Sequence, residues 1–234
     1  MKKKISTSPP EPQIEFPDPR DADPESGLLA VGGDFSVERL TAAYRRGIFP
    51  WPMAVGGYSA EEVPPLWFCP DPRAILFFEE LHIPRSLARA RKKSKLHYTV
   101  DQAFLAVIHA CAEAPRPGQD GTWITSMMLE AYIDLHRAGH AHSFEAWDGE
   151  TLVAGLYGVD AGGAFAAESM FHTQDNASKL LVLNVIEHLR ARGASWLDIQ
   201  VMTPHMEKLG ARELEREHYL RLLAEAQSAA SKLF

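Results

Sequence analysis

Hydrophobic and polar positions along this chain change period several times, and each change marks an element. The segment "GLLAVGGDFSVERLTAAYRRGIFPW" (residues 27–51) gives a short apolar run ending in Gly32-Gly33, then an amphipathic stretch that Ser36 can cap and Gly47 can end. Residues 50–72 are rich in Pro, Gly and aromatics, a composition suited to a linker or an ordered binding loop. A basic segment at 84–95 precedes an apolar-periodic helix from about residue 100 to 114, and a Pro/Gly loop follows it. The next helix has Thr125 as its cap and Gly139 as its stop. "SFEAWDGETLVAGLYGVDAGGAFAAESMF" then supplies three strand-like runs divided by Asp148-Gly149 and by Asp160 to Gly163, which predicts an antiparallel meander. "DNASKLLVLNVIEHLRARG" reads as a helix capped at Asp175 or Asn176 and closed by Gly193, followed by a strand at 195–201 and a terminal helix.

This order is α+β, with a crossover helix feeding a late strand beside the meander, and its connectivity suits an acyltransferase sheet of the GNAT type. The late strand, "WLDIQVM", raises a chemical question. Alternation sends Leu197, Ile199 and Val201 to one face, and Trp196, Asp198, Gln200 and Met202 to the other. A carboxylate in an apolar strand must be paired, hydrogen-bonded or protonated, so Asp198 and Gln200 belong either to a structural polar cluster or to a site. Glu168, on the third meander strand, converges with them if the crossover returns the chain alongside. Leu156, Phe165, Met170, Val182 and Val185 would line the resulting pocket, although residues at such positions are more often core than pocket.

Composition narrows the setting. The 234 residues suffice for one large domain, or for a medium domain with a smaller one, and 46% are apolar and 24% charged. No apolar run approaches the ~18 residues that a bilayer span requires. The opening "MKKKISTSPPEPQIEF" has prolines and acids where a signal peptide has its apolar core, so a flexible tail over residues 1–13 is expected. Cys69 and Cys111 lack metal-ligand spacing and disulfide density, which fits a cytoplasmic protein, and His136, His140 and His142 lack the partners of a familiar zinc motif. Neither a metal nor a cofactor is expected. The net charge of -7 repels polyanions overall, so any nucleic-acid contact must be local. One stretch offers it: Arg85, Arg89, Lys92 and Lys93 share a helical face, with Arg91 and Lys95 beside them, although a merely solvated face has the same spacing.

The stretches "LLAVGGDFSVERLTAAYRRGIFPW", "WFCPDPRAIL", "GTWIT", "YIDLHRAGHAHSFEAW", "ESMF", "NASK" and "LDIQV" follow one another through nearly the whole chain after the tail. Together they resemble the leucyl/phenylalanyl-tRNA–protein transferases of bacteria. The resemblance implies a small N-terminal domain (14–71) joined to a GNAT-like domain (72–234) with a mostly antiparallel sheet flanked by helices. It further implies transfer of Leu, Phe or Met from aminoacyl-tRNA (Leu-tRNA, Phe-tRNA) to proteins with N-terminal Arg or Lys. Nothing in the residues calls for an obligate partner, so a monomer away from membranes is expected. Carried over residue by residue, Asp198, Gln200 and Glu168 match the catalytic positions, and Trp51 and Trp123 match aromatics of the aminoacyl-adenosine site. Asn176 and Ser178 match a supporting motif beside that site, and Arg85 to Lys95 match the tRNA-binding surface. The chain departs from the family where Ala167 replaces a glycine, His172-Thr173 replaces Ser-Arg, and Val185 replaces an aromatic. A CoA-dependent N-acetyltransferase is the alternative that the topology allows, but "MFHTQDNASK" lacks the glycine-rich turn that would hold a pyrophosphate. A non-catalytic tRNA- or degron-binding module is a third reading.

Overall fold

Three runs of alternating apolar residues form the centre of the larger of two sheets. They are β6 (Ala141–Asp148), β7 (Thr151–Asp160) and β8 (Phe165–His172), paired antiparallel. Their turns follow from local chemistry: Gly149 takes φ 60°, and the Asp160 carboxylate accepts from the amides of Gly162 and Gly163 at 2.8 Å each. The chain then crosses over through α5 (Ala177–Ala191) into β9 (Trp196–Gln200), which runs parallel to β8, as such a crossover requires. This computed structural model describes residues 15–53, 56–114 and 124–234. The tail expected at 1–13, most of the 114–121 loop and Trp123 lie outside the described residues.

Three further strands extend the sheet: β5 (His97–Val100) beside β6, β4 (Arg73–Phe77) beside β9, and β10 (Arg212–Leu214) at the far edge. The order is β10-β4-β9-β8-β7-β6-β5. The sequence pattern anticipates only the four central strands. At β5 it predicts the start of a helix instead, but Asp101 takes φ 58° and turns the chain, so that α3 (Phe104–Glu113) begins three residues later. β4 and β10 are too short, and too mixed in polarity, to show a period of their own.

A separate three-stranded sheet, ordered β1 (Leu28–Val31), β3 (Leu66–Phe68), β2 (Phe49–Pro50), forms earlier in the chain. Between its first strands lies α1 (Val37–Arg45), whose N-terminal Ser36 hydroxyl accepts from the Arg39 amide at 3.4 Å. The stretch at 50–72 is therefore partly strand rather than only linker. All strands of the small sheet fall within residues 28–68, and those of the large sheet start at residue 73.

Two apolar layers sandwich the large sheet. On one side α1, α3, α4 (Ser126–Arg137), α7 (Arg216–Ala229) and the small sheet bury Leu40, Tyr44, Trp67, Val107, Tyr132 and Tyr219. On the other, α5 and α2 (Arg85–Lys93) bury Leu87, Val182, Val185, Leu189 and Leu197. Alternation along β9 holds for Trp196, Leu197 and Asp198, with Leu197 entering the α5 layer and Trp196 the other. Val201 departs from it: the strand stops at Gln200 and leaves Val201 39% exposed.

Candidate active site

β8 and β9 pair only at Ala166 and Asp198, and past this point the strands are free to splay. Glu168 and Gln200 lie two residues beyond the pair, one on each strand. Both occupy irregular backbone. Tyr157 pairs with Ser169 but Gly158 pairs with Ala167, so Glu168 is the extra residue of a β-bulge, a device that re-aims a side chain. Gly158 makes the bulge possible, since a Cβ there would come within 2.2 Å of the Ala166 carbonyl oxygen. On β9, the Val201 amide donates to the Ile199 carbonyl at 2.6 Å, closing a three-residue turn about Gln200, whose φ is 55°. A non-glycine residue held there costs of order 1–3 kcal/mol, and such strain concentrates at functional sites.

Two hydrogen bonds hold Gln200 in place. Its amide donates to Asp198 Oδ1 at 3.0 Å, and its side-chain Nε2 donates to Glu168 Oε1 at 2.6 Å. The second bond spans the opening between the strands. Behind Glu168, Tyr132 donates to Oε2 at 3.3 Å and shares a short hydrogen bond with Tyr44. Exclusion from water pushes the Glu168 carboxyl up to about 7, against the lowering effect of Tyr44, with Asp198 adding to the rise and Arg73 and Tyr132 opposing it. The same burial raises the phenols of Tyr44 and Tyr132 well above their usual range, so both remain hydrogen-bond donors at neutral pH.

Asp198 is engaged from behind. Arg73 Nε and Nη2 reach its two carboxylate oxygens at 2.9 and 2.6 Å, and Tyr219 donates to Oδ2 at 3.0 Å. Both charges are deeply buried, with side chains 1% and 3% exposed. The Arg73 guanidinium also donates to the Gly47 carbonyl at 3.2 Å and lies between the rings of Phe49 and Tyr219, 4.7 and 4.4 Å from their centres. Burial alone would lower the Arg73 pKa, but the Asp198 carboxylate outweighs it and raises the value. The pair therefore carries no net charge, and Asp198 meets Gln200 through the backbone amide, not through the side-chain carboxamide.

In front of this cluster opens a cavity of about 310 Å³. Glu168 and Gln200 supply its polar wall, while Leu156, Met170, Ile199, Val201, Met206 and Trp51 supply most of its apolar lining. A pocket that is mostly apolar with a few convergent polar groups is the usual form of a small-ligand site.

The structure thus brings Glu168, Gln200, Trp51, Leu156 and Met170 to one cavity and sets Asp198 just behind it. Among the described residues, it does not bring the other candidates there. Phe165, Val182 and Val185 are fully buried in the layer between α5 and the sheet and lie outside the cavity lining, since α5 turns Val182 and Val185 into that core and Phe165 faces it from β8. Asn176, at the N-cap of α5 with φ 64°, and the buried Ser178 are also outside it. Arg85, Arg89, Arg91, Lys92, Lys93 and Lys95 are all exposed on or beside α2, with Arg91 paired to Glu187 of α5. Two of the histidines serve structure: His136 stacks on Phe104, and His142 bonds Asp101 at 2.7 Å and stacks on Phe234. Among the described residues no cluster of three or more His, Cys, Asp or Glu could hold a metal, and no helix is long and apolar enough to cross a membrane.

Sequence reasoning missed Arg73, Tyr44, Tyr132 and Tyr219. A signal existed for Arg73, a cation opening the apolar run "RAILF", which a buried acid elsewhere had to match. The tyrosines lie on amphipathic helices, where nothing separates them from core.

Residues 75–224 match the family model described as leucyl/phenylalanyl-tRNA protein transferase, and residues 33–71 match that of its N-terminal domain. The chain belongs to the leucyl/phenylalanyl-tRNA–protein transferase family. A transferase of that name from Anaeromyxobacter dehalogenans (strain 2CP-C) is 52% identical over 211 residues, covering 90% of this chain and 87% of its own. Those from Shewanella sp. (strain W3-18-1) and Pectobacterium carotovorum subsp. carotovorum (strain PC1) are 47% and 49% identical, covering 92% and 93% of this chain and 86% and 89% of theirs. Among solved structures, one titled "The structure of L-PGS from Bacillus licheniformis" superposes over 71% of this chain and 52% of its own, with TM-score 0.41 and 12% identity. The α+β assignment of this transferase rests on its own strand order. As a member of the family it is an aminoacyltransferase, and the acetyltransferase alternative is not favoured.

Proposed function

We propose that the transferase moves Leu, Phe or Met from its aminoacyl-tRNA to the α-amine of proteins beginning with Arg or Lys, in the cytoplasm and as a monomer, marking them for degradation. The observation that carries this reading is the cavity, whose apolar wall suits an aliphatic or aromatic side chain and whose polar wall is the Glu168–Gln200 pair. The α-nitrogen attacks the ester carbonyl carbon, the new C–N bond forms, and the ester C–O bond breaks to release the ribose hydroxyl. One proton leaves the amine and one reaches the departing oxygen. An α-amine of pKa about 7.7–8 keeps a usable neutral fraction near pH 7, so orientation supplies much of the acceleration.

Gln200 Nε2 is committed to Glu168, which aims Oε1 of the same carboxamide away from that carboxylate, where it can accept from the attacking amine. Glu168, titrating near 7, is matched to taking the proton. Asp198 serves as an anchor: Arg73 neutralises it, and it fixes the Gln200 backbone. The group that polarises the Gln200 carboxamide is therefore Glu168 and not Asp198. The exposed cations of α2 are the proposed contact with tRNA phosphates.

The test incubates the protein with labelled Leu-tRNA and an Arg-starting peptide, beside an acetyl-CoA arm. Label on the peptide is the expected result. Acetyl transfer alone would favour the runner-up, and tRNA or peptide binding without transfer would favour a recognition module.

A further inference from the structure

Glu168 divides its two oxygens between different surroundings. Oε1 meets the Gln200 carboxamide at the cavity, which Trp51 and the Met206 side chain of α6 (Pro204–Lys208) also line. Oε2 accepts from the Tyr132 phenol at 3.3 Å, on the side of the apolar layer that holds Tyr44 and Tyr132. Tyr132 lies on α4 and shares its short hydrogen bond with Tyr44 of α1. The two residues are 0% and 2% exposed, and the Tyr132 ring meets that of Tyr157 on β7 edge-on, with centres 5.4 Å apart. Packing, not solvent, fixes where these phenols point.

Each phenol carries one proton, and a proton donated toward Glu168 favours the carboxylate over the carboxyl, because a hydrogen bond to the charged form stabilises that form. A chain in which Tyr44 donates to Tyr132, and Tyr132 to Oε2, is also mutually polarised. Exclusion from water favours the neutral acid, and Tyr44 is the foremost of the groups that oppose it. The other groups facing Glu168 are Asp198 and Gln200 of β9 and Arg73 of β4: Asp198 disfavours a second negative charge, whereas Arg73 favours it and is itself paired to Asp198. Neither phenol is among the residues lining the cavity, so both act on the reaction through Glu168. They come from different parts of the chain: α1 lies between strands of the small sheet, whereas α4 packs on the large sheet that carries Glu168.

We infer that Tyr44 and Tyr132 are positioning residues that hold Glu168 as a carboxylate for the transfer step, so that α1, from the region of the small sheet, sets the strength of the base on the large one. The inference rests on the aminoacyl-transfer reading, in which Glu168 takes the proton of the attacking amine. It gives the small-sheet region a part in the chemistry beyond the Trp51 wall of the cavity.

Single-turnover transfer from Leu-tRNA to one Arg-starting peptide is followed against pH in the wild type, Tyr44→Phe and Tyr132→Phe, so that titration of the peptide amine is common to all three. Loss of one donor to the carboxylate should move the Glu168 inflection up by about one pH unit. The rate should then fall about tenfold at pH 6 and return close to the wild-type value at pH 9. Glutamate labelled with 13C at its side-chain carboxyl, read by infrared difference against Glu168→Gln, should show the same displacement without any turnover. Inflections left in place, with or without a uniform loss of rate at every pH, would overturn the inference. Where a Phe variant no longer unfolds cooperatively, 3-fluorotyrosine at the same position keeps the hydroxyl and makes it a stronger donor. The inflection should then move down, and its staying in place would equally overturn the inference. Failure of the wild type to transfer at any pH would instead overturn the aminoacyl-transfer reading, with the infrared titration still reporting whether the phenols hold Glu168 ionised.

Discussion

Replacing Arg73 by Met tests the structural centre of the site. The guanidinium is 1% exposed and bonds both oxygens of a carboxylate that is 3% exposed, so its loss strands a buried negative charge with only Tyr219 and the Gln200 amide as partners. Removing one member of a buried pair costs about 3–5 kcal/mol, a large share of the roughly 5–15 kcal/mol that holds a domain together. In urea, with a slope of about 3 kcal/mol per molar, the midpoint should fall by roughly 1–1.7 M at pH 7. The reverse change, Asp198→Asn, strands the arginine and should cost a similar amount. Arg73→Met/Asp198→Leu removes both charges and should recover most of the loss, to within about 2 kcal/mol of wild type, because apolar volume replaces a desolvated pair. That double variant should still be inactive, since Gln200 has lost the acceptor that fixes its backbone. A single variant that lost less than about 1 kcal/mol, or a double variant no more stable than the singles, would refute the claim that the pair is buried and mutually dependent.

Glu168 gives a pH signature. Folding raises its carboxyl from 4.5 to about 7, so the folded state keeps the proton longer; the associated stability is complete below 4.5 and lost as pH rises through 7. Relative to Glu168→Gln, wild-type unfolding free energy should fall by roughly 3 kcal/mol across that window, and the inflection near pH 7 in single-turnover transfer should vanish in the variant; a flat difference between the two stability curves contradicts the burial argument. At Gln200 the usual order of replacements should reverse: with φ at 55°, Gln200→Gly should be about 1 kcal/mol more stable than Gln200→Ala in denaturant unfolding, though both lose transfer activity. An alanine variant as stable as the glycine variant would show the turn is unstrained. Gly158→Ala should cost about 1–3 kcal/mol and slow transfer, because the added methyl meets the Ala166 carbonyl and shifts the bulge at Glu168; unchanged melting and kinetics would show that the bulge does not depend on this glycine.

Much of the frame was legible in the residues themselves. Period-two runs with Asp-Gly turns gave β6 to β8, the Ser36 and Thr125 caps gave α1 and α4, and the crossover into β9 followed from helix and strand spacing. Glu168 and Gln200 were legible as chemistry because a polar group in an apolar strand demands a partner. Short edge strands such as β4 and β10 were not, since they are set by what lies beside them and not by their own period.

Sequence, then, determined the order of the central elements from β6 to β9, the polar residues out of place in β8 and β9, and the family to which the chain belongs, because these depend on local periodicity and residue identity. Only the tertiary structure decided which polar groups meet. Arg73 and Asp198 are 125 residues apart, and Tyr132 and Glu168 36 apart, so no local pattern could pair them. It also decided that Val182 and Val185 pack between α5 and the sheet and not in the cavity, and that Gln200 lies in a strained turn held by an acid on each strand. Burial, charge pairing and backbone strain are properties of what surrounds a residue, and those surroundings exist only once the chain has folded.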